Sequence, residues 1–282
     1  MTRRELLKTL TTALIGAGFA REAVARMIEP YALRPGDYSE YVADYLQKMR
    51  HYDAPHREDV FVDPTHRELF ERVVARIDRL EDSVGQGHFQ LLAFDDALAI
   101  ARTSTGIGAF SQDELEYLEE IFYRDAVVYG FYGEKSLTRI TDRISEDQVV
   151  KVPRSGHYLY KGLPLDTYER IKRDVGARAV LTSGVRGMMK QFALFLRKAF
   201  DNDANLSLAS RSLAPPGYSF HGISDFDVGQ VGLGEDNFTP RFTGSDVYRR
   251  LAELKYVAMR YPIDNMLGVR FEPWHIKVDY HA

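Results

Sequence analysis

The chain has 282 residues, a formal net charge of −4, 45% hydrophobic and 28% charged residues, and no cysteine. That composition excludes collagen-like, low-complexity and wholly disordered chains and leaves enough length to bury a sizeable core. No global basic field is present to hold nucleic acid or anionic lipid. The absence of cysteine removes disulfide frameworks, thiolate zinc sites, iron–sulfur clusters and cysteine nucleophiles, so any metal must sit on His, Asp or Glu.

In chain order, residues 1–25 open with Arg3-Arg4 and Leu6-Leu7-Lys8, followed by a mildly apolar run and small residues up to Ala25. This is the layout of an export signal of the twin-arginine type, and its apolar run is too short to span a bilayer. A periplasmic protein is therefore expected. Residues 26–150 read as a mainly helical region. Phe70, Val73, Val74, Ile77 and Leu80 recur at helical spacing. Ser111 with Glu114 three residues on marks a helix start running through Leu118 and Phe122, and the acidic cluster from Glu114 to Glu120 reads as a solvated face. Gly130 and Gly133 break that pattern. Residues 149–165 look like strand and turn, 166–175 like a short helix, 179–182 like a buried strand, and 187–200 again like a helix. The last third reads as β- and loop-rich, with a helix over 246–258. The expected architecture is α+β, a small antiparallel sheet flanked by helices after a helical N-terminal section, with residues 151–282 forming the catalytic domain.

Three segments place ionisable residues inside apolar surroundings: Thr182-Ser-Gly-Val-Arg186, Pro216 to Gly229 around His221, Asp225 and Asp227, and Phe271-Glu-Pro-Trp-His275. A catalytic zinc without thiols takes His nitrogens and a carboxylate and keeps a position open for water. The middle segment offers His221 with Asp225 and Asp227; the last offers His275 with Glu272. Pro273 biases Glu272 away from the helical region, so this pair reads as the bent start of a strand. In a strand, Asp225 and Asp227 face one side and Phe226 the other, so one carboxylate can bind metal while the other orients a ligand. Gln191 reads as either substrate-facing or exposed on its helix, and His157 as a loop histidine.

Ser-Gly-x-Arg, Ser-x-His…Asp and Glu-x-Trp-His, in that order over Val180 to Val278, resemble the zinc D-alanyl-D-alanine carboxypeptidases of the vancomycin-resistance type, with related D,D-dipeptidases and L,D-carboxypeptidases. The resemblance implies one zinc ion on His221, His275 and an aspartate, Glu272 as catalytic base, Arg186 polarising the scissile carbonyl, and Ser219 near the substrate's terminal carboxylate. Family members usually hold the ligand aspartate seven residues after the histidine, in a Gly-x-Ala-x-Asp context. Here Asp227 follows His221 by six, with Ser224-Asp225-Phe226 in place of that context. The following Val228-Gly229 favours Asp227 over Asp225, with one residue deleted from the loop. The implied function is a D,D-carboxypeptidase acting on peptidoglycan stem peptides that end in a D-residue. An L,D-carboxypeptidase, a cross-link endopeptidase and a non-catalytic cell-wall binder remain the alternatives.

Overall fold

Helical apolar spacing builds the front of the molecule. The structure, a computed structural model, describes residues 38–279, so the expected export signal lies outside the described residues. Helix α1 (Tyr38–Arg50) precedes α2 (Arg67–Val84), α3 (Phe94–Thr103) and α4 (Gln112–Tyr123). At the start of α4 the Glu114 carboxylate accepts the Ser111 N–H at 2.8 Å, the return half of a capping box. Glu114 corrects the expectation of a solvated acidic face. It is fully buried and takes hydrogen bonds at 2.9–3.1 Å from Arg76, whose guanidinium also reaches the Ile107 and Gly108 carbonyls. Glu116, Glu119 and Glu120 do face solvent.

A hairpin of β1 (Val149–Lys151) and β2 (Tyr158–Tyr160) leads into α5 (Leu163–Val175). Then follow β3 (Ala179–Ser183), α6 (Met188–Phe200), α7 (Leu206–Ser210), β4 (Phe226–Gln230), α8 (Asp246–Glu253), β5 (Ala258–Met259) and β6 (His275–Lys277). The larger sheet has the order β3-β4-β6-β5, with every pairing antiparallel. Helix α8 is shorter than the expected 246–258 because residues 258–259 are drawn off to pair with β6 at the sheet edge.

Two large apolar clusters hold most of these elements, and a small one with Tyr45 and Tyr132 holds α1. Phe70, Ile77 and Leu80 of α2, Leu118 and Phe122 of α4, and Phe192, Phe195 and Leu196 of α6 form the helical one. Leu181, Phe226, Val228, Trp274 and Ile276 of the sheet region, with Tyr168 and Ile171 of α5 and Val247 and Leu251 of α8, form the other. Alternation along β4 sends Phe226 and Val228 into that second core and leaves Asp227 on the opposite face. The register then sets Ser183, Asp227 and His275 in one row across β3, β4 and β6.

Candidate metal centre

The row across the sheet meets a second element at its end. After β3 the backbone turns through Gly184, Val185 and Arg186, and two neighbours pin the turn. The Val185 N–H donates to the Tyr158 carbonyl of the hairpin at 2.8 Å, and the Arg186 N–H to the His221 carbonyl at 3.1 Å. His221 lies on the short turn Phe220–Gly222, held from the hairpin by the Tyr160 hydroxyl donating to the Gly222 carbonyl at 2.6 Å. A Cβ on Gly184 would stand 2.0 Å from the Tyr158 carbonyl oxygen, so only glycine fits there.

Each imidazole is oriented by its remote nitrogen. His221 Nδ1 lies 2.8 Å from the Gly184 carbonyl, which fixes it as the donor and turns Nε2 inward. His275 Nε2 lies 3.1 Å from Asp225 Oδ2, which turns Nδ1 inward. Asp225 is in turn gripped by Arg260 at 2.7 and 2.9 Å and by the Val278 N–H at 2.9 Å. The inward atoms converge on Asp227: Oδ1 is 3.3 Å from His221 Nε2 and 3.6 Å from His275 Nδ1. All three residues are buried, and their potential ligand atoms lie within 4.8 Å of one another. Tetrahedral coordination at the usual zinc–nitrogen and zinc–oxygen lengths spaces ligand atoms by ~3.3 Å, so the donor set fits such an ion. His221 Nε2 and Asp227 Oδ1 have no hydrogen-bond partner although buried, a costly state that a bound cation relieves.

Burial would raise the Asp227 pKa, but His221 and Arg186 outweigh it and bring it to about 2. Burial and then the Arg186 charge lower His221 to about 4, leaving it neutral. Burial would lower His275 as well, yet the carboxylates of Asp225, Glu272 and Asp227 raise it to about 9.

The other expected residues gather around this cluster. Arg186 donates to Asp227 Oδ2 at 2.9 Å and to Ser183 Oγ at 3.0 Å. Glu272 Oε2 is 3.2 Å from His275 Nδ1, and Ser219 is buried nearby. All of them line a cavity of about 520 Å³ that also takes in His157, Tyr261, Arg270 and Trp274. His157, in the loop ahead of β2 as expected, also forms part of the cavity wall; burial and then Arg186 bring it to about 4, so it is neutral. Gln191 is neither exposed nor free for substrate. It is 2% exposed, and its amide joins the Arg186 carbonyl to the Gly217 N–H at 2.9 Å each, bracing the site from α6.

Residues 167–281 match the family model described as VanY, D-alanyl-D-alanine carboxypeptidase. That stretch is a VanY-family domain. Among solved structures, similarity is found to a vancomycin-resistance D,D-pentapeptidase VanY from a VanB-type cassette in complex with Zn(II), at 26% identity over 46% of this chain and 76% of that one, TM-score 0.38. VanYB in complex with D-alanine-D-alanine is also 26% identical, over 46% of this chain and 75% of that one, TM-score 0.37. The LD-carboxypeptidase LdcB is 19% identical over 45% and 62%, TM-score 0.36. No curated protein matches the chain. The matched stretch begins inside α5 and runs past β6, and it contains Ser183, Arg186, Ser219, His221, Asp225, Asp227, Glu272 and His275.

Proposed function

We propose that this chain is an exported zinc D,D-carboxypeptidase that removes the terminal D-alanine of peptidoglycan stem peptides. The observation that carries the reading is the convergence of His221 Nε2, Asp227 Oδ1 and His275 Nδ1, two of them buried without a hydrogen-bond partner, on one wall of a cavity large enough for a peptide end. The match of residues 167–281 to the family model described as D-alanyl-D-alanine carboxypeptidase supports it.

His221, Asp227 and His275 hold the ion in this reading, with Asp225 steering His275. A zinc ion bound there lowers the pKa of a water from ~15.7 toward ~7 and polarises the scissile carbonyl. Glu272, 3.2 Å from His275, is placed to take the proton of the attacking water at its carboxylate and return it to the departing amine. Arg186 keeps Asp227 ionised and presents its remaining guanidinium hydrogens to the cavity, where oxyanion charge develops; loss of one such donor typically costs ~10²–10³ in rate. Ser219 lies on the wall where the terminal carboxylate is expected. Among the described residues no helix is long and apolar enough to cross a membrane, and the twin-arginine layout of residues 1–25 supports delivery to the periplasm.

The test is release of D-alanine, followed by mass, from a pentapeptide stem by zinc-loaded protein. Silence at saturating substrate with zinc bound removes the D,D assignment. Cleavage of the tetrapeptide alone moves the activity to the L,D bond. Glu272→Gln should abolish turnover while zinc stays bound; peptide binding as the sole measurable property, unchanged in that variant, identifies a cell-wall binder instead.

A further inference from the structure

The helical front of the chain reaches the cavity from behind, through Arg270. This side chain lines the cavity, and its Nε lies 3.9 Å from Glu272 Oε1. The other carboxylate oxygen, Oε2, is the one 3.2 Å from His275 Nδ1. Glu272 is thus bracketed, with Oε1 toward a cation and Oε2 toward the converging ligands. Arg270 Nε is buried and makes no hydrogen bond, while Nη2 donates to the Phe238 carbonyl at 3.0 Å. Among the described residues Glu272 is its one ion-pair partner.

What holds Arg270 comes partly from far earlier in the chain. Its guanidinium carbon stands 4.8 Å from the centroid of the Trp274 ring and 4.7 Å from that of Tyr52. Tyr52 belongs to the turn just after α1, outside the matched stretch 167–281. Arg211 ties the two together. Its side chain donates to the Tyr52 carbonyl at 3.2 Å and the Ala54 carbonyl at 2.9 Å, and its own carbonyl accepts the Arg270 N–H at 2.9 Å. We infer that Tyr52 and Arg270 are positioning residues for the catalytic base: the Tyr52 ring holds the Arg270 guanidinium where it fixes Glu272 with Oε2 toward the metal centre. The inference rests on the peptidase reading above and adds that a residue of the helical front completes the machinery. An aromatic face attracts a cation more strongly where water is excluded, and the Arg270 side chain is only 12% exposed. Tyr52 does not itself line the cavity, so its influence on the reaction passes through Arg270.

The chain has a single tryptophan, and Arg270 stands over it, so Trp274 emission reports the placement of Arg270 with or without turnover. Tyr52→Leu should lower kcat roughly three- to tenfold, with KM within about twofold and zinc content unchanged, and should shift that emission. Tyr52→Phe keeps the ring and should restore both kcat and emission. Arg270→Met should lower kcat by about 10- to 100-fold, the scale of a misplaced catalytic group. Adding Tyr52→Leu to Arg270→Met should cost nothing further, because the two act in series. A Tyr52→Leu loss undiminished in the Arg270→Met background marks a merely structural role and overturns the inference. So does an Arg270→Met effect confined to KM, which makes the arginine a substrate contact. No release of D-alanine by the wild type, with the emission shifted in Tyr52→Leu and not in Tyr52→Phe, overturns the peptidase reading and keeps the link from Tyr52 to Arg270. Release at the wild-type rate by Tyr52→Leu, with emission unchanged, does the reverse.

Discussion

Asp225 controls the centre without belonging to the converging cluster. It holds His275 Nε2, is clamped by Arg260, and accepts the Val278 N–H. Burial would raise its pKa, but His275 and Arg260 drive it well below the ordinary carboxylate range, so it is a fixed anion. Asp225→Asn should weaken zinc affinity by ~10- to 100-fold in a chelator competition, the usual effect of losing a partner behind a metal-binding histidine. Asp225→Ala additionally strands a buried guanidinium and should cost ~3–5 kcal/mol in denaturant unfolding. The histidines set opposing pH limbs for the metal-stripped protein. His275, raised to about 9, contributes stability that is complete below its unfolded pKa of ~6.5 and is lost as pH rises through 9. His221, lowered to about 4, contributes stability present above ~6.5 and lost as pH falls through 4, and His157 adds to the same limb. Urea unfolding of the stripped protein should therefore show a maximum near pH ~6.5. Zinc uptake below pH 9 must expel the His275 proton, which calorimetry in buffers of different ionisation enthalpy detects; no proton release at pH 7 contradicts the assignment.

Elements place these side chains through close backbone approaches. Gly184 supplies the carbonyl that turns His221, and a Cβ there would lie 2.0 Å from the Tyr158 carbonyl oxygen. Gly184→Ala should cost ~1–3 kcal/mol and lower zinc stoichiometry together, because relief of the clash separates the hairpin from the turn carrying His221. A stable variant with full zinc content would disconnect the hairpin from the centre. Helix α6 offers a second check. Gln191→Leu leaves the Arg186 carbonyl and the Gly217 N–H buried without their partner and should destabilise by ~1–3 kcal/mol. The α2, α4, α5 and α6 segments and the strand β3 were legible in the chain because apolar periodicity is a local signal. The end of α8 was not, since residues 258–259 are claimed by β6 from further along the chain. Likewise His221, Asp227, His275 and Glu272 stand in short motifs that can be read in order. Arg260 and Gln191 act through partners 35 and 26 residues away, and no spacing announces them.

At the scale of the molecule, the helical front half shares its core with α6, the helix whose Gln191 braces the site. Phe192, Phe195 and Leu196 of α6 pack in the same cluster as Phe70, Ile77, Leu118 and Phe122, and Gln90 accepts the Gly187 N–H just ahead of α6. Arg211 reaches across the same boundary to Asp59 at 2.7 and 2.9 Å. A chain beginning at residue 151 exposes that face of α6, so it should aggregate or fail to unfold cooperatively, whereas residues 38–282 should unfold in one transition. Cooperative unfolding and tight zinc binding by the shorter chain would refute this. Apolar spacing signalled the helix α2, but its packing beneath α6 depends on contacts made across more than a hundred residues.

Arg186 also decides how many oxygens Asp227 can offer. Its guanidinium occupies Oδ2 at 2.9 Å, while Oδ1 alone faces the two imidazoles. With zinc bound there, Asp227 would offer it Oδ1 alone. His221, Asp227 and His275 would then supply three protein donors, the number that suits a site keeping a position open for water or substrate. In that arrangement Arg186 would guard the open position by engaging the oxygen that could otherwise close it.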